Sequence, residues 1–216
     1  MGVPSVYYEP SDVDLRLGAL GGLERLNLLL GVEAAVAAVG GCTDNDPPAA
    51  RGWDCWRAAT RRLREIHRAL GWEKDDTANF STIVHSGHRI KIAVANTDDA
   101  TGNRLVAPTN RSRNGATSDR ASQINQMVLP FTEWRSETEP ERAVTPGYAT
   151  WYLCIFVDGD RVRAELSMPT RLDGGYFVEW SERIILISSD EDWARPAVPV
   201  FGDDPGPEFE VPVFRK

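Results

Sequence analysis

Thr150–Pro169 reads TWYLCIFVDGDRVRAELSMP, two hydrophobic runs on either side of an Asp158-Gly159 pair. Asp-Gly between such runs is a strong hairpin signal, because the tight turns that join antiparallel strands need positive φ. A two-residue turn at Asp158-Gly159 sets Val157 opposite Asp160, Ile155 opposite Val162, Leu153 opposite Ala164 and Trp151 opposite Leu166. Trp151, Leu153, Ile155, Val162, Ala164 and Leu166 are then expected to be buried together. The other face pairs Phe156 with Arg161, Cys154 with Arg163 and Tyr152 with Glu165. A slip of one residue would turn the apolar set to solvent, so one register is firmly specified.

Strand patterns extend on both sides of this hairpin. Downstream, Leu172-Asp173-Gly174-Gly175 turns into Tyr176–Trp180 and then Arg183–Ile187. Consecutive strands usually neighbour one another, which predicts an antiparallel meander. Upstream, Phe80–Val84 and Arg89–Ala95 alternate around Ser86-Gly87, and a two-residue turn sets His85 across from His88. Two imidazoles at that spacing suit a metal, but zinc takes three or four protein ligands and no third lies nearby. His85 and His88 are therefore expected to be polar turn residues, with no metal and no cofactor.

The first seventy residues read as helices. Ser11-x-x-Asp14 resembles a capping box. Behind it Leu17, Leu20, Leu23 and Leu30 recur at helical spacing, interrupted by Gly18, Gly21 and Gly22, each costing about 1 kcal/mol relative to alanine. A second run, Val32–Val39, stops at Gly40-Gly41. Asp54 is expected to open the strongest helix, with Trp56, Ala59, Leu63, Ile66 and Leu70 as its apolar stripe and Gly71 as its end. The fold class expected is α+β, an antiparallel sheet of hairpins with the N-terminal helices packed on one face. The chain reads as a single domain over 1–216, mainly helical over 1–72 and mainly β over 78–216, with an acidic, irregular C-terminal tail. Phe131–Thr145 reads as an acidic connector and Phe209–Phe214 as a late strand.

Composition narrows the classes of function. The chain has 216 residues and a net charge of −8. No apolar run approaches the roughly 20 residues that span a bilayer. The first residues lack the basic and apolar regions of a signal peptide. Three cysteines form no disulfide framework and suit a reducing compartment, so a cytoplasmic location without membrane association is expected. Charge is unevenly distributed: residues 51–126 carry a net +5 and the remainder a net −13.

The basic middle has two features that suit phosphates. Arg57, Arg61, Arg64 and Arg68 are spaced 4, 3 and 4, a stripe along one helix with Glu65 as the only acid between Asp54 and Gly71. Guanidinium groups hold phosphate oxygens in bidentate fashion. Downstream, Thr97–Ala116 (TDDATGNRLVAPTNRSRNGA) has little periodicity and carries Asn103, Arg104, Asn110, Arg111, Arg113 and Asn114. Loops of that length inside compact domains are functional or unstructured. The expected nucleic-acid-binding set is Arg57, Arg61, Arg64, Arg68, Arg104, Arg111 and Arg113. Few unpaired aromatics accompany the stripe, so little base stacking and weak specificity are expected. A solvated surface accounts for the same charges without any ligand.

AVANTDDATGN, NRSRNGAT, the hairpin stretch and RIIL resemble a group of uncharacterised bacterial proteins over about residues 80–187. That resemblance implies a bacterial cytoplasmic protein and transfers no site.

Two other classes of function remain open. Asp158, Asp160 and Glu165 resemble the acidic residues of PD-(D/E)xK nucleases, but Ser167 stands where those enzymes place lysine, and the turn explains both aspartates. A metal-dependent hydrolase is therefore the weaker alternative, and no catalytic residue is assigned. Trp151, Tyr152, Trp180 and Trp193 suit a protein-docking surface, since aromatics are enriched at interaction hot spots. The leading expectation is a non-catalytic binding protein whose partner is nucleic acid, with a protein partner second. Oligomeric state is not set by any of these features.

Overall fold

The computed structural model describes residues 3–114, 118, 121–123, 125, 147–189 and 193. The expectations for 131–145 and Phe209–Phe214 lie outside these residues. The architecture is α+β. Among the described residues, seven strands form one sheet in the order β1-β7-β6-β5-β4-β3-β2, with β1 Ser5–Tyr7, β2 Glu73–Asp75, β3 Thr82–His85, β4 Ile90–Asn96, β5 Ala149–Asp158, β6 Arg161–Asp173 and β7 Tyr176–Ile187. Two antiparallel meanders, β2-β3-β4 and β5-β6-β7, are joined through a parallel β4–β5 pair, and β1 adds to β7 in parallel. Tyr176–Ile187 is one continuous strand rather than two.

The central hairpin keeps its expected faces but turns one residue later. Asp158 opposes Arg161, Val157 opposes Val162, Ile155 opposes Ala164 and Leu153 opposes Leu166. The turn is centred on Gly159-Asp160, with Gly159 at φ +58°. Glycine thus takes the first central position, which lets Asp158 and Arg161 close the hairpin with an ion pair. Each residue's partner moves by two, an even number, so the apolar face stays apolar. The six residues expected to be buried together do share one core. At the other hairpin the turn spans four residues, and His85 opposes Ile90 rather than His88.

Three helices cover one face of the sheet: α1 Pro10–Ala19, α2 Arg25–Gly40 and α3 Ala50–Ala69. α2 merges the Val32–Val39 run with the leucines before it. Two helix starts differ from expectation. α1 begins at Pro10 rather than at a Ser11 cap, and α3 begins just after Pro47-Pro48, four residues ahead of Asp54. At the start of α1, proline presets the helical φ and lacks an amide that would go unsatisfied in the first turn. The buried face of α3 is Cys55, Ala59, Thr60, Leu63 and His67. Leu70, expected in that stripe, is exposed. Val13, Leu17, Leu28, Val32 and Leu63 pack onto Ile92, Trp151, Leu153, Ile155 and Ile184 in one apolar cluster.

The opposite face has a smaller apolar cluster of Ala93, Ala95, Tyr152, Cys154, Phe177 and Trp180. Its described cover includes the irregular segment 97–114. Residues 97–114 leave the end of β4, and Gly102 donates its amide to Glu165 Oε2 at 2.9 Å. Glu165 and Arg183 form a buried ion pair of 2.6 Å, 0% and 1% exposed. Arg183 also donates to the carbonyls of Asn103 and Val106, which pins the outer part of the loop. β6 is irregular at Met168–Leu172, where Pro169 cannot donate to the ladder. Past this bulge the β6–β7 tip meets the loop, and Asn110 bonds to Gly175 O and Phe177 N. Asn125 lies in a helical segment and staples Thr150 to Pro169 through both ends of its carboxamide.

Candidate functional site

The seven arginines do not converge. α3 lies antiparallel to β4, since Asn96 at the end of β4 donates to Gly52 O near the start of the helix, at 2.7 Å. Arg57 and Arg61 are exposed and pair with Asp54 and Glu65 on the same helix. Arg64 is tucked against the sheet edge, bonded to Asp76 at 2.5 Å and to the carbonyls of Asp75 and Thr82. Its hydrogen bond, with one from Ser81, holds the Asp76 carboxyl down, to about 2. Arg68 is exposed in the last turn. Arg104 stacks over Tyr8, 4.1 Å from the ring centroid, beyond β1 at the far edge of the sheet. Arg111 lies over Phe156 at 4.9 Å, near the end of β5. Arg113 is exposed, with no ion-pair partner among the described residues.

One place does gather chemistry. The pairing of β3 with β4 ends at Ile92, and the returning limb of the loop takes up the same edge again at Asn96, where Arg111 N donates to Asn96 O at 2.9 Å. Between these points no described residue is registered against β4 at Val94 on that side. A cleft of about 380 Å³ lies there, lined by Trp53 and Trp56 of α3, by Val94–Asn96 and by Asn110, Ser112 and Asn114. A narrower depression of about 130 Å³ adjoins it across Gly52 and Asn96, lined by Arg51, Cys55, Arg111, Val157 and Asp158 among others. Burial pushes the Cys55 thiol up to about 12, so it is inert as a nucleophile. Asp158 is already paired with Arg161.

The groups in the larger cleft differ in what they have left to offer. Asn110 spends its carboxamide on Ser112, Gly175 and Phe177, so its role is to hold the loop. Asn96 Oδ1 and Asn114 Nδ2 are buried and have no hydrogen-bond partner among the described residues. A shielded polar atom without a partner costs about 1–3 kcal/mol. Trp53 is 59% exposed, and its ring centroid lies 5.1 Å from that of Trp56. An exposed tryptophan at a cleft mouth is a stacking platform for a planar ligand.

Trp53 is the residue that the sequence reading missed. It precedes the arginine stripe at the same spacing, so the full series is Trp53, Arg57, Arg61, Arg64 and Arg68. The signal was present, but starting the helix at Asp54 cut it off. The carboxamide pair had no comparable signal, because Asn96 and Asn114 meet only when the loop returns to the strand it left.

The other candidates are committed elsewhere. Glu165 uses both oxygens on Arg183, Ser167 and the Gly102 amide. Trp151, Tyr152 and Trp180 are buried in the two cores. His85 and His88 meet edge to face at 4.6 Å, and His85 Nδ1 accepts from the His88 amide. Among the described residues, no three His, Cys, Asp or Glu side chains gather to hold a metal, and no helix is long and apolar enough to cross a membrane. No protein-family model, curated protein or solved structure matches the chain.

Proposed function

We propose that this protein binds single-stranded nucleic acid without cleaving it, through the outer face of α3 and the loop limb beside it. The observation that carries this reading is the series Trp53, Arg57, Arg61 on one exposed helix face, opening at its N-terminal end into the Trp/Asn cleft. Residues four apart on a helix stand about 6 Å apart along its axis, so the face presents a stacking ring followed by a row of cations. Arg57 and Arg61 are held only by exposed neighbours on the same helix. Such pairs contribute less than about 1 kcal/mol, so exchanging a carboxylate for a phosphate costs little. Arg64 and Arg104 leave the binding set, since one anchors β2 and β3 and the other packs on Tyr8.

Stacking on Trp53 is sequence-tolerant, since every base has a π-face. Single strands are favoured over duplex because stacked and paired bases cannot reach the ring. The test is titration of labelled single- and double-stranded oligonucleotides at two salt concentrations. Arg57→Ala/Arg61→Ala is expected to flatten the log–log salt slope for a single strand by about 1.4 units. No binding at low salt, or a slope untouched by the double substitution, overturns the reading.

A further inference from the structure

The two adjoining depressions differ in chemistry in a way that a single nucleotide unit matches. The larger has an exposed indole with a second indole behind it, and the asparagines Asn96, Asn110 and Asn114 among its lining residues. A nucleobase edge carries a donor beside an acceptor, and asparagine carboxamides read that pattern. The smaller has two guanidinium-bearing residues, Arg51 and Arg111, neither with an ion-pair partner among the described residues. Its one carboxylate, Asp158, is already paired with Arg161. Asn96 and Gly52 line both chambers, so the two lie within one residue of each other. A volume of about 380 Å³ falls within the range of small-molecule sites, roughly 300–1,000 Å³.

We infer that these chambers hold one nucleotide, its base on Trp53 between Asn96 and Asn114 and its phosphate against Arg51 and Arg111. This rests on the single-strand reading and adds a fixed position to it. One unit of the strand is seated in the cleft, and the rest follows the α3 arginines. A free mononucleotide is then a ligand in its own right, and a competitor for the strand.

The experiment uses the full chain with adenosine monophosphate, adenosine and inorganic phosphate as separate probes, followed by calorimetry and by tryptophan fluorescence. Adenosine monophosphate is expected to bind, and to bind more tightly than adenosine or phosphate alone. Trp53→Ala is expected to weaken it roughly 5- to 150-fold, the range for loss of one base–aromatic stack. Arg111→Gln is expected to weaken the nucleotide while leaving adenosine unchanged. Trp53 and Arg111 are exposed, and circular dichroism of each variant checks that the fold is intact. If oligonucleotides bind with the expected salt slope while adenosine monophosphate neither binds nor competes at millimolar concentration, the seated-nucleotide inference fails and the arginine track stands. If phosphate alone binds as tightly as the nucleotide, the site is only an anion pocket and the inference fails. If nothing binds, both readings fall.

Discussion

The two faces of the sheet are sealed by different physics. On one, α1, α2 and α3 lay apolar side chains onto Trp151, Leu153, Ile155 and Ile184, in a cluster of 26 buried residues. On the other, six of the described buried apolar residues make a cluster, and residues 97–114 are held against it by hydrogen bonds that involve Glu165, Arg183 and Asn110. Apolar burial is non-directional and tolerates small shifts, each buried methylene contributing about 0.8 kcal/mol. A buried polar network is directional and fails as a unit when one partner is removed. The helical face therefore carries the stability. The loop face carries the precision, and it is the loop's return limb that builds the cleft.

The largest effects that test this contrast come from the buried ion pair. Arg183→Met leaves the Glu165 carboxylate uncompensated, and breaking such a pair costs about 3–5 kcal/mol. Urea unfolding measures that loss, and limited proteolysis should cut within 97–114 far faster than in the wild type. Leu153→Ala is expected to cost about 2–5 kcal/mol by opening a cavity in the helical core, yet to leave loop cleavage in the native state unchanged. Equal loop cleavage in the two variants would erase the distinction between the faces. Replacing both Glu165 and Arg183 by methionine should recover much of the single-variant loss, since no charge is then stranded.

A smaller effect sharpens the same point at the backbone. Gly102 has φ +73°, and a Cβ there would press into the Ile187 carbonyl and stand 3.2 Å from Ser189 N. Gly102→Ala is expected to cost about 1–3 kcal/mol. It should also weaken nucleotide binding more than its stability loss explains, because it displaces the loop that bears Arg111 and Asn114. Binding unchanged after that substitution would separate the loop's outer part from the cleft.

The smallest effect is electrostatic and lies at the sheet edge. Asp75, desolvated but more strongly favoured by hydrogen bonds from Lys91 and Thr77, is held at about 2. Its folded value lies below the unfolded value of about 3.9. Its contribution is therefore complete above about pH 4 and is lost as the pH falls towards 2. Allowing for solvent screening, about 1 kcal/mol should disappear over that window, measured as the acid limb of a stability–pH profile. Asp75→Asn should flatten that limb without altering the loop, since the pair belongs to the β2–β4 edge. A limb unchanged by the substitution would remove this pair from the acid response.

The sequence by itself determined the α+β class, the hairpin faces around Thr150–Pro169 and the helical cover, because periodicity reports which side of an element is apolar. It reached those conclusions even where the turn was placed one residue early, since an even shift preserves the faces. It also contained Trp53 at the head of the arginine stripe, hidden only because α3 starts at Ala50, four residues ahead of Asp54. What tertiary structure alone decided is which polar groups are spent. Arg64 and Arg57 read alike in the sequence, yet one is folded onto Asp76 and the other stands in solvent. Asn110 and Asn114 lie four residues apart in one loop, yet one is bonded at both ends and the other has an amide without a partner among the described residues. Hydrogen bonds are short-range and directional, so their partners follow from where distant segments meet, and no local pattern encodes that meeting.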